Sequence, residues 1–170
     1  MMNFFKGPKA SWIWLVLRLY VGWEFLEAGW GKVTAATPFS AAGTLNNALK
    51  LTTGAHPAVQ PWYGWFVKNI ALPNAGLFSF LVKYGEVLVG LALIVGFATI
   101  FAASMGMLMN LNFLFAGSTS TNTQLVVLEG LIIFGGAAYA GYLGVDYWFR
   151  PWFRSLLANS GSAAAAKSAA

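Results

Sequence analysis

Four long apolar runs leave this chain few folds to choose from. They cover about Trp12 to Val33, Leu77 to Phe97, Ile100 to Ala116 and Gln124 to Leu143. At about 1.5 Å of rise per residue, helices of these lengths approach or exceed a hydrocarbon core roughly 30 Å deep. The expected fold is all-α: an integral membrane four-helix bundle of up-down topology, with a long extracytoplasmic loop between the first and second spans. Composition agrees, because only 9% of the 170 residues are charged and 58% are hydrophobic, whereas an ordinary soluble domain has roughly 25% charged residues. A cleaved leader is the competing reading of the first run. That run, however, is long, carries Arg18, Glu24 and Glu27 and lacks a convincing cleavage site, so it is taken as a span. Residues 1–155 are expected to form one four-span domain, and 156–170, rich in Ser and Ala, a disordered tail.

Lys6 and Lys9 precede the first run, and Arg150 and Arg154 follow the last. The positive-inside rule therefore puts both termini in the cytoplasm and the chain in the cell membrane. The ten Lys and Arg residues are scattered, so a net charge of +5 does not imply a nucleic-acid partner. With no cysteine and one histidine, His56, the chain offers no iron–sulfur, thiolate-zinc or bis-histidine haem site. His56 is read as a loop residue, and Met105, Met107 and Met109 as gap-fillers and not metal ligands. Any electrons must travel on a bound small molecule or a partner.

Residues 34–76 form the long connection, with a short helix predicted around Phe39–Leu51 and an aromatic cluster at Trp62, Tyr63, Trp65 and Phe66. Beside Lys68, that cluster suits a segment lying in the outer interface, the alternative being a cap over a site. The second and third runs should form a tight hairpin, and Asn122 or Thr123 should cap the fourth helix.

Up-down threading brings the polar residues together. Glu24, Glu27 and Lys32 fall late in span one, Lys83 and Glu86 early in span two, Asn110 and Asn112 late in span three, and Glu129 early in span four. All then share the outer half of the membrane. Helical spacing puts Glu86 on a face with Lys83 and Gly90, Asn110 with Ala103 and Gly106, and Glu129 with Gly136 and Ala140, small-residue faces suited to packing. An ionised carboxylate at mid-helix costs about 2.5–3.5 kcal/mol, so these groups need partners, protons or a ligand. Expected pairs are Lys83 with Glu86 at i,i+3, and Lys32 with Glu24 or Glu27 across the bundle. Arg18, in the inner half on the face of Gly22, Phe25 and Gly29, either snorkels to the interface or makes a structural ion pair with Asp146.

At these residues the sequence resembles the DoxX family, which includes the DoxD subunit of thiosulfate:quinone oxidoreductase. The stretches that carry the likeness are residues 18–32 (RLYVGWEFLEAGWGK), 85–96 (GEVLVGLALIVG), 109–113 (MNLNF) and 141–146 (GYLGVD). His56-Pro57, Leu72 to Asn74 and Ser120 to Asn122 are also similar to a bacterial subgroup. The likeness runs from about Trp12 to Pro151. It implies a four-helix membrane bundle and a link to quinone-coupled sulfur oxidation. By matched position it carries over Arg18, Lys32, Glu86, Asn110, Asn112, Asn122 and Asp146, whereas Glu24 and Glu27 depart from the family pattern.

The leading functional expectation is a quinone-linked membrane oxidoreductase subunit with a membrane quinone as its cofactor. Glu86 and Glu129 would accept protons, Lys32 and Lys83 would hold an anion or the reduced quinone, and Asn110 and Asn112 would bond a carbonyl oxygen. A small transporter or permeability factor, using the same carboxylates as a path, is the second expectation. The third is a non-catalytic scaffold for a second membrane or extracytoplasmic subunit, or for further copies of the chain.

Overall fold

The computed structural model describes residues 10–136, 139–149 and 151, and within them all regular structure is helical. Lys6, Lys9, Arg150, Arg154 and the tail, on which the orientation and disorder expectations rest, lie outside the described residues. Helix α1, Ser11–Thr34, is an unbroken 24-residue helix that ends with Lys32 in its last turn, where a cation suits the helix dipole. It buries one stripe, Trp14, Arg18, Val21, Gly22, Phe25 and Gly29, spaced at the three- and four-residue intervals of one helical face. Helix α4, Ala75–Val95, closes on Gly96 in the left-handed conformation, and helix α5, Thr99–Phe115, begins two residues beyond Phe97. The hairpin expected between the second and third runs is therefore present.

α1 and α4 pack closely because glycines stand where they touch. A Cβ on Gly90 would meet the Leu26 amide nitrogen at 2.6 Å and the Gly22 carbonyl oxygen at 2.8 Å, distances that no real side chain tolerates. The main core lies inside this pair and its neighbours, around Val21, Phe25, Leu93, Ala103, Leu125 and Ile132.

The 34–76 connection folds as a second packed unit. Helix α2, Ala42–Lys50, falls inside the predicted Phe39–Leu51 segment. Helix α3, Pro61–Phe66, starts with Pro at its first position, where a missing N–H costs nothing. It runs on as a π-helical turn, Val67–Ala71, closed by the Leu72 amide donating to the Val67 carbonyl at 2.8 Å. Leu45, Val59, Tyr63, Val67 and Ala71 make a core of their own against Ala116, just beyond α5. The aromatic cluster is thus divided: Tyr63 faces inward, capping the bundle end, while Trp62 and Trp65 face out.

The fourth run departs from expectation. Helix α6, Asn122–Gly130, passes into a π-helical stretch, Leu131–Gly136, and residues 139–144 are turns instead of the continuous helix expected to Leu143. The cause is tertiary, because the Ala140 and Leu143 carbonyls accept hydrogen bonds from Arg18 in place of intrahelical amides. Asn122 does not cap α6, since its side-chain amide turns back to the Ser118 carbonyl at 3.3 Å.

Outward-facing positions are strongly apolar: Trp12, Val16, Trp23, Leu88, Phe101 and Phe134 are all exposed, a surface suited to lipid. α4 is long and apolar enough to cross a membrane unaided; α5 and the Asn122–Gly136 segment are apolar but shorter. α1 is the longest helix but carries Arg18, Glu24, Glu27 and Lys32.

Candidate functional site

Glu86 sits on the buried face of α4, 3% exposed, where Gly29 of α1 lets the helices close. A Cβ at Gly29 would lie 2.8 Å from that of Glu86. One turn on, Lys32 reaches across and sets its ammonium 2.5 Å from Glu86 Oε2, with the Ala28 carbonyl as a second acceptor at 3.3 Å. The same ammonium lies over the Phe39 ring, 5.6 Å from its centroid. Lys32 keeps part of its side chain exposed while the carboxylate does not, so the stem covers apolar surface and the charge serves the pair.

Asn110 and Glu129 form the second buried pair, 2% and 0% exposed. The Asn110 amide nitrogen donates to both carboxyl oxygens at 3.1 Å. Gly106, one turn away on α5, makes the room: a Cβ there would meet Glu129 Oε1 at 2.5 Å and the Phe25 ring at 3.0 Å. Among the described residues no cation pairs with Glu129. Charge-assisted pairing therefore offsets burial for Glu86, whereas Glu129 has only an amide, so a proton or a guest donor would complete its site.

Contacts along α1 tie the two pairs together. Gly29 touches Glu86 and Phe25 touches Gly106 beside Glu129, and four residues along a helix span about 6 Å. Gly85 and Met109 approach one another in the same layer. The Lys32–Glu86 and Asn110–Glu129 pairs are therefore two separate contacts that meet α1 about one helical turn apart, at Gly29 and Phe25.

Other expected members fall elsewhere. Glu27 is exposed and Glu24 half-buried, and neither is the partner of Lys32, because the stripe that packs on α4 leaves them to one side. Lys83 does not pair with Glu86; its ammonium lies over the Tyr84 ring, 4.9 Å from the centroid, while Lys32 takes the carboxylate. Asn112, two residues beyond Asn110, faces away from Glu129. Its side-chain amide donates to the Leu108 carbonyl at 2.7 Å, and its own carbonyl accepts from the Tyr63 hydroxyl at 3.0 Å. Burial pushes that hydroxyl above the ordinary tyrosine range, so it stays a donor. His56 is an exposed loop residue.

At the opposite end, Arg18 is 1% exposed and lies within electrostatic reach of Asp146, so of the two readings expected it is pairing and not snorkelling that is approached, although each charge makes its hydrogen bonds with backbone. The guanidinium donates to the carbonyls of Ala140 at 3.2 Å and Leu143 at 2.8 Å. Asp146 accepts from the amides of Ala98 at 2.7 Å and Thr99 at 2.9 Å, holding the start of α5. Gly96 and Gly144 lie directly against the guanidinium, leaving each charge closer to backbone than to the other.

Phe25, Phe39 and Tyr63 were not singled out as site residues by the sequence. Phe25 was visible on the Arg18 stripe; Phe39 and Tyr63 belong to a connection whose tertiary contacts no periodicity reports. Both line a cleft of about 250 Å3 between α4, α5 and the α2–α3 unit, walled also by Phe78, Met109 and Phe113.

No curated protein and no solved structure matches the chain. The DoxX family model matches residues 13–118, ending before α6 instead of reaching Pro151. That span takes in α1, the α2–α3 unit, α4 and α5, hence Lys32, Glu86 and Asn110 but not Glu129 or Asp146. Since the match covers well over half of the sequence, this chain is a membrane protein of the DoxX family.

Proposed function

We propose that this chain is a four-span subunit of the cell membrane, with both termini cytoplasmic, that handles protons for a membrane quinone in thiosulfate:quinone oxidoreductase-like chemistry. The observation that carries this is the presence of two buried carboxyl groups, Lys32-paired Glu86 and Asn110-held Glu129, on a helical core whose α4 and α5 also wall an apolar cleft that neither carboxyl lines. A quinone, when bound, would supply the redox chemistry, its two-electron, two-proton reduction drawing electrons from a thiosulfate-class donor on a partner subunit.

The chain's own part is narrower. Glu86 and Glu129 accept and return protons; Lys32 stabilises negative charge on Glu86; Asn110 orients the Glu129 carboxyl. Low surrounding polarity strengthens each of these contacts. The test is thiosulfate-dependent reduction of decylubiquinone in membranes carrying wild-type chain, Glu86→Gln or Glu129→Gln. Removing a positioned acid–base group should slow the reaction by about 100-fold or more. Rates equal to wild type in both variants would remove the carboxyl groups from the reaction.

A further inference from the structure

The cleft is walled almost entirely by carbon, with Tyr63, Asn112 and the exposed Thr44 as its polar side chains. The Tyr63 hydroxyl donates to the Asn112 carbonyl and the Asn112 amide to the Leu108 carbonyl, so a guest deep inside meets the carbon walls of Phe66, Phe78, Met109 and Phe113. Just outside one wall, the Lys32 ammonium lies over the Phe39 ring while it is held by Glu86, so the charge is screened from the cleft by that ring. Two wall residues reach the outside: Leu81 on α4 is 50% exposed and Leu108 on α5 is 54% exposed. The cleft therefore opens sideways, onto the same apolar surface that carries Leu88 and Phe101. Size narrows the guest further. An apolar cavity of about 150 Å3 takes a benzene ring, so about 250 Å3 accepts a substituted ring or a short branched chain but not a whole lipid.

We infer that this cleft binds the ring and first chain segment of an isoprenoid quinone-type molecule, entering from the bilayer between Leu81 and Leu108. The inference rests on the quinone reading and adds to it a binding surface and an entry side. Tyr63 acts through Asn112 as a positioning residue that pins the α3 cap to α5.

The experiment uses the full chain in phosphatidylcholine nanodiscs and a decylbenzoquinone bearing a diazirine on its alkyl chain. Photolabel is expected on Leu81, Val82, Leu108, Met109, Asn112 and Phe113, displaced by excess decylubiquinone. Met109→Trp, which fills the cleft, and Leu81→Trp, which blocks the mouth at an exposed position, should each lower that label at least ten-fold with unchanged helicity. If Met109→Trp fails to fold, Leu81→Trp decides. Label spread evenly over the outer surface and indifferent to Leu81→Trp would overturn the inference. So would a diazirine phosphatidylcholine that labels the same residues and is not displaced by quinone. Displaceable cleft label with thiosulfate-dependent reduction indifferent to both carboxyl substitutions would keep the cleft and sink the redox reading. Carboxyl-dependent reduction with scattered label would do the reverse.

Discussion

Glu129 has no surface left to water, and a single amide answers it. The two partners should therefore respond unequally to substitution. Asn110→Ala strips both carboxyl oxygens of their donor and should cost about 1–3 kcal/mol, the range for an orphaned buried polar group. Glu129→Gln keeps an acceptor in place without a charge to bury, and should stay within about 1 kcal/mol of wild type. Equilibrium unfolding in mild detergent measures both, and an unaffected Asn110→Ala protein would show that the amide does not hold the carboxyl. Glu86 is a different kind of group, since it has a cation partner, and that partner's 24% side-chain exposure lets solvent screen part of what the pair adds to stability.

At the scale of helices, the α1–α4 contact depends on missing side chains. Gly90→Ala drives a methyl into the Leu26 and Gly22 backbone, which cannot yield as a flexible side chain would. It should destabilise the bundle by about 1–3 kcal/mol, as overpacking does. Gly130→Ala meets nothing within 4 Å and should be neutral or stabilising by up to about 1 kcal/mol through helix propensity. Thermal unfolding of the two variants compares them directly, and equal behaviour would contradict the close approach. The same contact explains what could be read in advance. The Arg18, Gly22, Phe25, Gly29 stripe followed from helical spacing, as did the Ala103, Gly106, Asn110 face. Pairing did not follow, because sequence spacing favours Lys83 for Glu86, whereas the glycine contact delivers Lys32 from another helix. The unwinding at 139–144 was equally hidden: its local sequence is as apolar as a helix, and its cause sits on α1.

For the molecule as a whole, the outward apolar surface and the family assignment agree on a lipid setting. The absence of cysteine makes sidedness straightforward to map with single introduced thiols. His56→Cys, on the α2–α3 unit, should react with an impermeant maleimide on intact cells, and Tyr147→Cys, at the Arg18 end, only after permeabilisation. Both thiols reacting from one side would overturn the up-down threading. The Arg18 bonds also set an order of events at the ribosome. Their acceptors are 122 and 125 residues downstream, and at roughly 5–20 residues per second the guanidinium waits about 6–25 s for them. During that interval the first helix carries an unanswered cation, so water, lipid phosphate or an insertion factor must hold it until the last segment arrives to close the structure.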